Sequence, residues 1–149
     1  MAAYNFQRQF VEPIKTRRKR HTIRNRGKRH HAKPGEPVQL YWGQRTIHCE
    51  KIIADPTCLW VRPISFFVGP DRLGPIFFLD ELPDDVSPAA DYDEGHVGND
   101  CSPLNIWDSV EDFAREDGFE SMRDMHRFWL QFHGQGVFQH AVNVRWGWV

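Results

Sequence analysis

Nineteen residues near the start of the chain, Lys15–Lys33 (KTRRKRHTIRNRGKRHHAK), restrict its folding more than any other stretch. They hold ten Lys or Arg (Lys15, Arg17, Arg18, Lys19, Arg20, Arg24, Arg26, Lys28, Arg29 and Lys33) of the nineteen in the chain, and no acid. His21, His30 and His31 lie among them. Thr22 and Ile23 interrupt the run with β-branched residues of strand type. A disordered cationic arm has no use for a Thr-Ile step, whereas a strand leading into a pocket does. The plainer alternatives are a solvated basic arm or, in a eukaryotic source, a nuclear import signal.

A chain of 149 residues suits a single domain, 1–149, with a core of its own. Six Trp and eleven Phe supply that core. No apolar run approaches the roughly 20 residues of a membrane span, and the opening MAAYNFQRQF has no signal-peptide core. Cys49, Cys58 and Cys101 are odd in number and lack CxxC spacing, so a reducing, cytoplasmic setting is expected rather than a disulfide framework. Zinc would need a fourth ligand and paired spacing; neither a metal nor a cofactor is implied. The net charge of −1 conceals a polarity. From Leu73 to Ala114 there is no Lys or Arg, while acids accumulate from Asp80 to Asp112. A positive patch with aromatics nearby suits a phosphate-bearing partner.

In chain order, Tyr4–Phe6 reads as a first strand. Phe6, Phe10 and Ile14 at fourfold spacing give a short helix over Gln7–Lys15 despite Pro13. The chain is extended around His21–Arg24, and Asn25–Gly35 reads as a loop. Pro37–Trp42 and Arg45–Ala54 flank Gly43-Gln44 as a hairpin. Leu59–Val68 is a strand broken by Pro63, which marks an edge or a bulge; Leu73-Gly74-Pro75 then turns into a short apolar run, Ile76–Leu79. Asp80–Pro103, acidic and rich in Pro and Gly, reads as a surface insertion: a lid, a counter-charge for the basic stretch, or a plain solvated excursion. Asp108 and Glu111 have capping-box spacing, and Gly118 ends that helix. Ser121 and Asp124 open a second helix to about His133, with Met122, Met125, Phe128, Trp129 and Phe132 on one apolar face. In the closing strand, Val137–Trp146, Phe138, His140, Val142, Val144 and Trp146 alternate with Gln139, Asn143 and Arg145. Strands outnumbering helices and joined by hairpins predict an α+β fold, a small mixed β-barrel of about five to six strands with flanking helices.

Three sequence segments carry a resemblance: Phe10-x-x-x-Ile14, Lys19-x-x-Thr22-Ile23-Arg24 and Pro34-Gly35-Glu36. Together they are similar to the opening of ASCH domains, and Ala114-x-x-Asp117-Gly118-Phe119 is similar to the second signature of that family. The resemblance covers roughly residues 6–60 and 106–146. It implies the PUA-like β-barrel and one of two activities. A compact bacterial member removes acetyl from 4-acetylcytidine with a lysine, a threonine and a glutamate; other members cleave or simply bind RNA. Carried over by motif, the catalytic candidates are Lys19, Thr22 and Asp117, the last a departure, because the family usually has Glu there. A carboxylate misplaced by about 1 Å can cost roughly a hundredfold in rate.

Amide hydrolysis needs a nucleophile, a base and an acid for the departing amine. Thr22 offers a hydroxyl or a seat for water, and Asp117 a proton shuttle. Lys19 serves as base only if partly neutral, a state that repulsion from Arg17, Arg18, Arg20 and Arg24 favours. Residues three apart on a straight strand face opposite sides, so Lys19 and Thr22 converge only if the backbone bends between them. Ribonuclease chemistry would call on His21, His30 or His31. Binding of RNA or a modified nucleoside without turnover would use Arg17, Arg18, Arg20, His21, Arg24 and Arg26 on phosphates. Tyr41, Trp42 or Trp60 would then stack a base. A protein-binding adaptor, with an acidic loop and a basic face, is the reading from another class.

Overall fold

β1 (Ala2–Phe6) alternates buried and more open residues, with Ala2, Tyr4 and Phe6 inward, as a strand with one apolar side must. The computed structural model describes residues 2–28, 30–79 and 109–148. Arg29, Cys101, the acidic insertion Asp80–Pro103 and the cap assigned to Asp108 lie outside them.

After β1, a 3-10 turn (Arg8–Phe10) runs into α1 (Val11–Lys15). Pro13 sits within the first turn of α1, where its missing N–H costs nothing. β2 spans His21–Asn25, β3 Val38–Trp42, β4 Glu50–Lys51, β5 Thr57–Val68 and β6 Leu73–Phe78. α2 (Val110–Glu116), α3 (Met122–His133) and β7 (Gly136–Gly147) complete the described chain. Among the described residues no helix is long and apolar enough to cross a membrane.

The strands form two sheets, one ordered β1-β3-β4 and the other β2-β7-β5-β6. The fold is therefore mixed α+β and rich in strands. The predicted closed barrel is corrected: among the described residues the seven strands lie in two separate sheets, each with edge strands. β1 and β3 are parallel, Ala2 opposite Val38 through Phe6 opposite Trp42, so the 3-10 turn, α1 and β2 all belong to the crossover between them.

Two compact units are present: Met1–Val61 with Glu116–Gly118 and Asn143–Val149, and Arg62–Arg115 with Phe119–Val142. The first has a core of Tyr4, Phe6, Phe10, Ile14, Ile23, Val38, Leu40 and Trp146. Phe6 meets Phe10 and Trp146 edge-on, at centroid separations of 6.4 and 6.1 Å. In the second, Phe66 packs edge-on against Trp129 at 4.8 Å, among buried Ile64, Ile76, Phe113 and Met125.

Several expectations are corrected in detail. The hairpin after β3 keeps its antiparallel pairing, but β4 is only two residues long. Residues 43–49 form a loop instead, with Gly43 and Arg45 both at φ 68°. Thr46 ties that loop by donating its hydroxyl to the Gly43 carbonyl and accepting the His48 amide. Leu73-Gly74-Pro75 opens β6 rather than turning. β5 runs unbroken through Pro63 and is an inner strand. Its register with β6 starts at Ile64, one residue beyond the proline, and the irregularity falls between Phe66 and Val68. Pro63 thus withholds no N–H from that ladder.

Ser121 caps α3 as expected, accepting the Asp124 amide. Ser109 plays the same part for α2, accepting the Asp112 amide at 3.2 Å. On α3, Phe132 is exposed instead of joining the apolar face, and His140 of β7 is exposed as well.

Candidate functional site

α1 ends at Thr16, and the next residue, Arg17, takes the left-handed conformation with φ 64°. That reversal bends the chain before β2. The Lys19 amide bonds back to the Pro13 carbonyl, and the Arg20 amide to the Glu116 carbonyl. The Trp146 amide then bonds to the Arg20 carbonyl. Lys19 is thereby held in an irregular segment just ahead of the strand, with its side chain turned inward.

Lys19 and Asp117 meet there as a buried ion pair, 2.8 Å from Nζ to Oδ1, each residue no more than 3% exposed. The ammonium also donates to the Asp117 carbonyl and, at 2.8 Å, to the His21 carbonyl. Its three N–H donors therefore face three acceptors. The faces of Phe6 and Phe10 lie 5.5 and 4.8 Å from Nζ and complete the cage. Asp117 follows α2 directly, and Gly118 beside it has φ +98°, the left-handed residue that ends many helices. A Cβ at Gly118 would stand 2.8 Å from Lys19 Cδ and 3.0 Å from Phe10, so glycine is required twice over.

Burial pushes the Asp117 carboxyl up to about 6, against the opposing pull of Lys19. It also lowers the Lys19 ammonium, which Asp117 partly restores and Arg24 and Arg18 depress further. Both groups shift toward their neutral forms because removal from water penalises charge.

His21, fully buried, lies 3.5 Å from Asp117 through Nδ1. Its protonation follows from its neighbours. The Trp60 indole can only donate, and it does so to Asn143 Oδ1 at 2.9 Å. The Asn143 amide nitrogen therefore faces His21 Nδ1 at 3.1 Å and donates to it. With Nδ1 an acceptor, His21 is neutral and carries its proton on Nε2, so its approach to Asp117 is not a charged pair. Arg145 joins the same region, bonded to Glu116 at 2.8 Å and laid over the Trp60 ring at 5.3 Å.

Thr22, the next residue of β2, is buried. Strand alternation points it to the opposite face from His21. No hydrogen bond or ion pair joins it to Lys19 or Asp117 among the described residues. The structure thus unites two of the three residues carried over by motif and adds His21, Asn143 and Trp60. Asn143 was missed because strict alternation sent it outward. β7 lies between two strands, and Ala141–Val144 are buried on both faces; the unbroken Ala-Val-Asn-Val run was the available signal.

The remaining sequence-predicted residues scatter by exposure. Arg17, Arg20 and Arg26 are exposed, and Arg18 and Arg24 are half-buried. Arg24 donates to the Asn5 carbonyl and lies 4.7 Å from the Phe6 ring. Tyr41 is half-buried, with the Lys51 ammonium 5.7 Å from its ring. Lys15, Arg17, Arg20, Arg26, Lys28 and Lys33 are all exposed, and none pairs with a carboxylate among the described residues. His31 is engaged: the Tyr4 hydroxyl meets its Nδ1 at 3.0 Å, while Nε2 faces the carbonyls of Asn25 and Arg26. Among the described residues no three His, Cys, Asp or Glu side chains gather as a metal site. In comparison with known proteins, no family model, no curated protein and no solved structure matches the chain.

Proposed function

We propose that the chain is an ASCH-like domain that binds RNA, or a modified nucleoside derived from it, through the exposed cations of its basic stretch. The observation that carries this is the division inside that stretch. Lys19 is consumed by Asp117, while six other cations stand in solvent with no ion pair from their side chains to a carboxylate among the described residues. Unpaired cations clustered over so short a segment attract phosphates without reading sequence.

Binding is favoured over turnover by the state of Lys19. A general base needs a lone pair facing the substrate, and an ammonium that donates three hydrogen bonds has none. Hydrolysis of the acetyl amide of 4-acetylcytidine is the second reading, favoured by the Asp117 carboxyl near 6, suited to moving a proton at neutral pH. In that reaction water, or the Thr22 hydroxyl followed by water, adds to the acetyl carbonyl. The C–N bond breaks, the amine leaves with a proton delivered through Asp117, and acetate is released.

Titration of purified protein with short single-stranded RNA across a salt series tests the first reading. Affinity should fall steeply with salt, with a slope approaching about −4 if all six cations meet phosphates. An absence of RNA affinity even at low salt would instead favour the adaptor. Incubation with 4-acetylcytidine, followed by mass, tests the second: deacetylation that disappears in Lys19→Ala and Thr22→Ala, under conditions where denaturant curves show both variants folded, would support it, and wild-type protein that releases no acetate would end it.

A further inference from the structure

Trp148 is the one exposed tryptophan among the described residues, 37% open to solvent. The Arg17 guanidinium lies over its ring, 4.4 Å from the centroid. The other rings nominated for stacking are less available. Trp60 is held by Asn143 and Arg145, Trp42 is flanked by Arg8 at 5.7 Å and His48 at 6.2 Å, and Tyr41 is half-buried.

The backbone at Arg17 gives the second observation. Arg17 is the residue just past the cap of α1, the position where a left-handed conformation favours glycine. A side chain there is costly, and such costs gather at functional positions. Its yield here is the placement of a guanidinium plane on an exposed indole. Arg20 is tied in through its Nε, which donates to the Arg17 carbonyl at 2.8 Å, so a second exposed cation is fixed beside the first.

We infer that Trp148 seats one nucleobase of single-stranded RNA, with Arg17 on the ring and Arg20 beside it holding the flanking phosphates. The seat presupposes RNA binding by the basic stretch and gives that stretch its contact to bases. An indole offers a π-face to any base, which makes the contact tolerant of sequence. Arginine suits the companion position because its planar fork both stacks on the ring and grips phosphate.

The test titrates wild-type protein, Trp148→Ala, Trp148→Phe and Arg17→Gly with an eight-nucleotide single-stranded RNA and with its abasic counterpart of equal charge. Trp148→Ala should bind the RNA about tenfold more weakly and the abasic strand as wild type does, and Trp148→Phe should recover most of the loss. Arg17→Gly should hold or raise the unfolding midpoint, since it removes the strain, while weakening both strands. Wild-type affinity for RNA that Trp148→Ala leaves unchanged overturns the seat alone. Wild-type protein that binds neither strand at low salt overturns the RNA-binding proposal and the seat together.

Discussion

Lys19 and Arg20 are adjacent cations in one basic run, yet they live in opposite dielectric surroundings. The first is buried with every donor engaged, and the second is exposed with its Nε on a backbone carbonyl. A buried charge has surrendered its hydration and depends on its partner, whereas an exposed one keeps its water and gives only weak, screened attraction. One stretch thus divides in two: an inner lysine fastens Glu116–Gly118 to the strand, and outer cations remain in solvent. If that contrast is real, substitutions along this stretch should separate into those that cost stability and those that cost binding.

The largest effect is expected at the buried pair. Lys19→Met leaves Asp117 in the interior without its cation and should destabilise by about 3–5 kcal/mol, measured by urea unfolding. Lys19→Met combined with Asp117→Leu should recover much of that loss, because an apolar pair of similar size avoids stranding a charge. A double variant as unstable as the sum of the singles would mean that the pair does not act as a unit.

Gly118→Ala should follow, at about 1–3 kcal/mol, through overpacking against Lys19 and Phe10 and through a left-handed backbone that alanine resists. Denaturant midpoints would show it. A loss that persists in the Lys19→Met background would assign the cost to the backbone rather than to the lysine stem.

These residues show how far the amino-acid sequence could be followed. The α3 cap, the Thr-Ile strand and the closing strand were legible because each is governed by neighbours a few residues away. Ser121, for instance, binds the Asp124 amide as its spacing requires. The Lys19–Asp117 contact spans 98 positions and was indicated only by the resemblance, since nothing local distinguishes Lys19 from the cations around it. Composition counts these charges alike, and burial sets Lys19 apart from its neighbours. Thr22 illustrates the converse: its chemistry fitted a hydrolase, but the pleat of β2 sets it opposite His21. Leu73-Gly74-Pro75 was misread because turn-forming residues at the start of a paired strand resemble those of a loop until the partner is known.

The pH dependence of stability should sharpen the inner half of the contrast. Asp117 titrates near 6 in the folded chain and near 3.8 when unfolded. Between those values the folded protein holds a proton that the unfolded chain has released, so stability is highest at the acid end and falls as pH rises from about 4 to about 6. Lys19 acts oppositely at the alkaline end. Its folded value lies below 10.5, so the unfolded chain binds the extra proton and stability rises with pH toward 10.5. Asp117→Asn should flatten the acid limb and leave the exposed cations' salt response intact. An acid limb equally steep in that variant would place its origin elsewhere.

The smallest expected change in stability, and the most telling, is at the outer cations. Arg20→Ala and Lys28→Ala remove side chains that are exposed and pair with no carboxylate among the described residues, so their unfolding midpoints should match wild type. If each meets one phosphate, each should still reduce the slope of log affinity against log salt by about 0.7 for single-stranded RNA. The two changes should add, since separate phosphates release separate counterions. A variant that lost affinity at low salt but kept the full slope would point to a disturbed backbone rather than a missing charge; Arg20 is the one to watch, because its Nε also fixes the Arg17 carbonyl. Lys28 has no such tie, so its slope change alone would show that the outer half of the stretch is held for an anion.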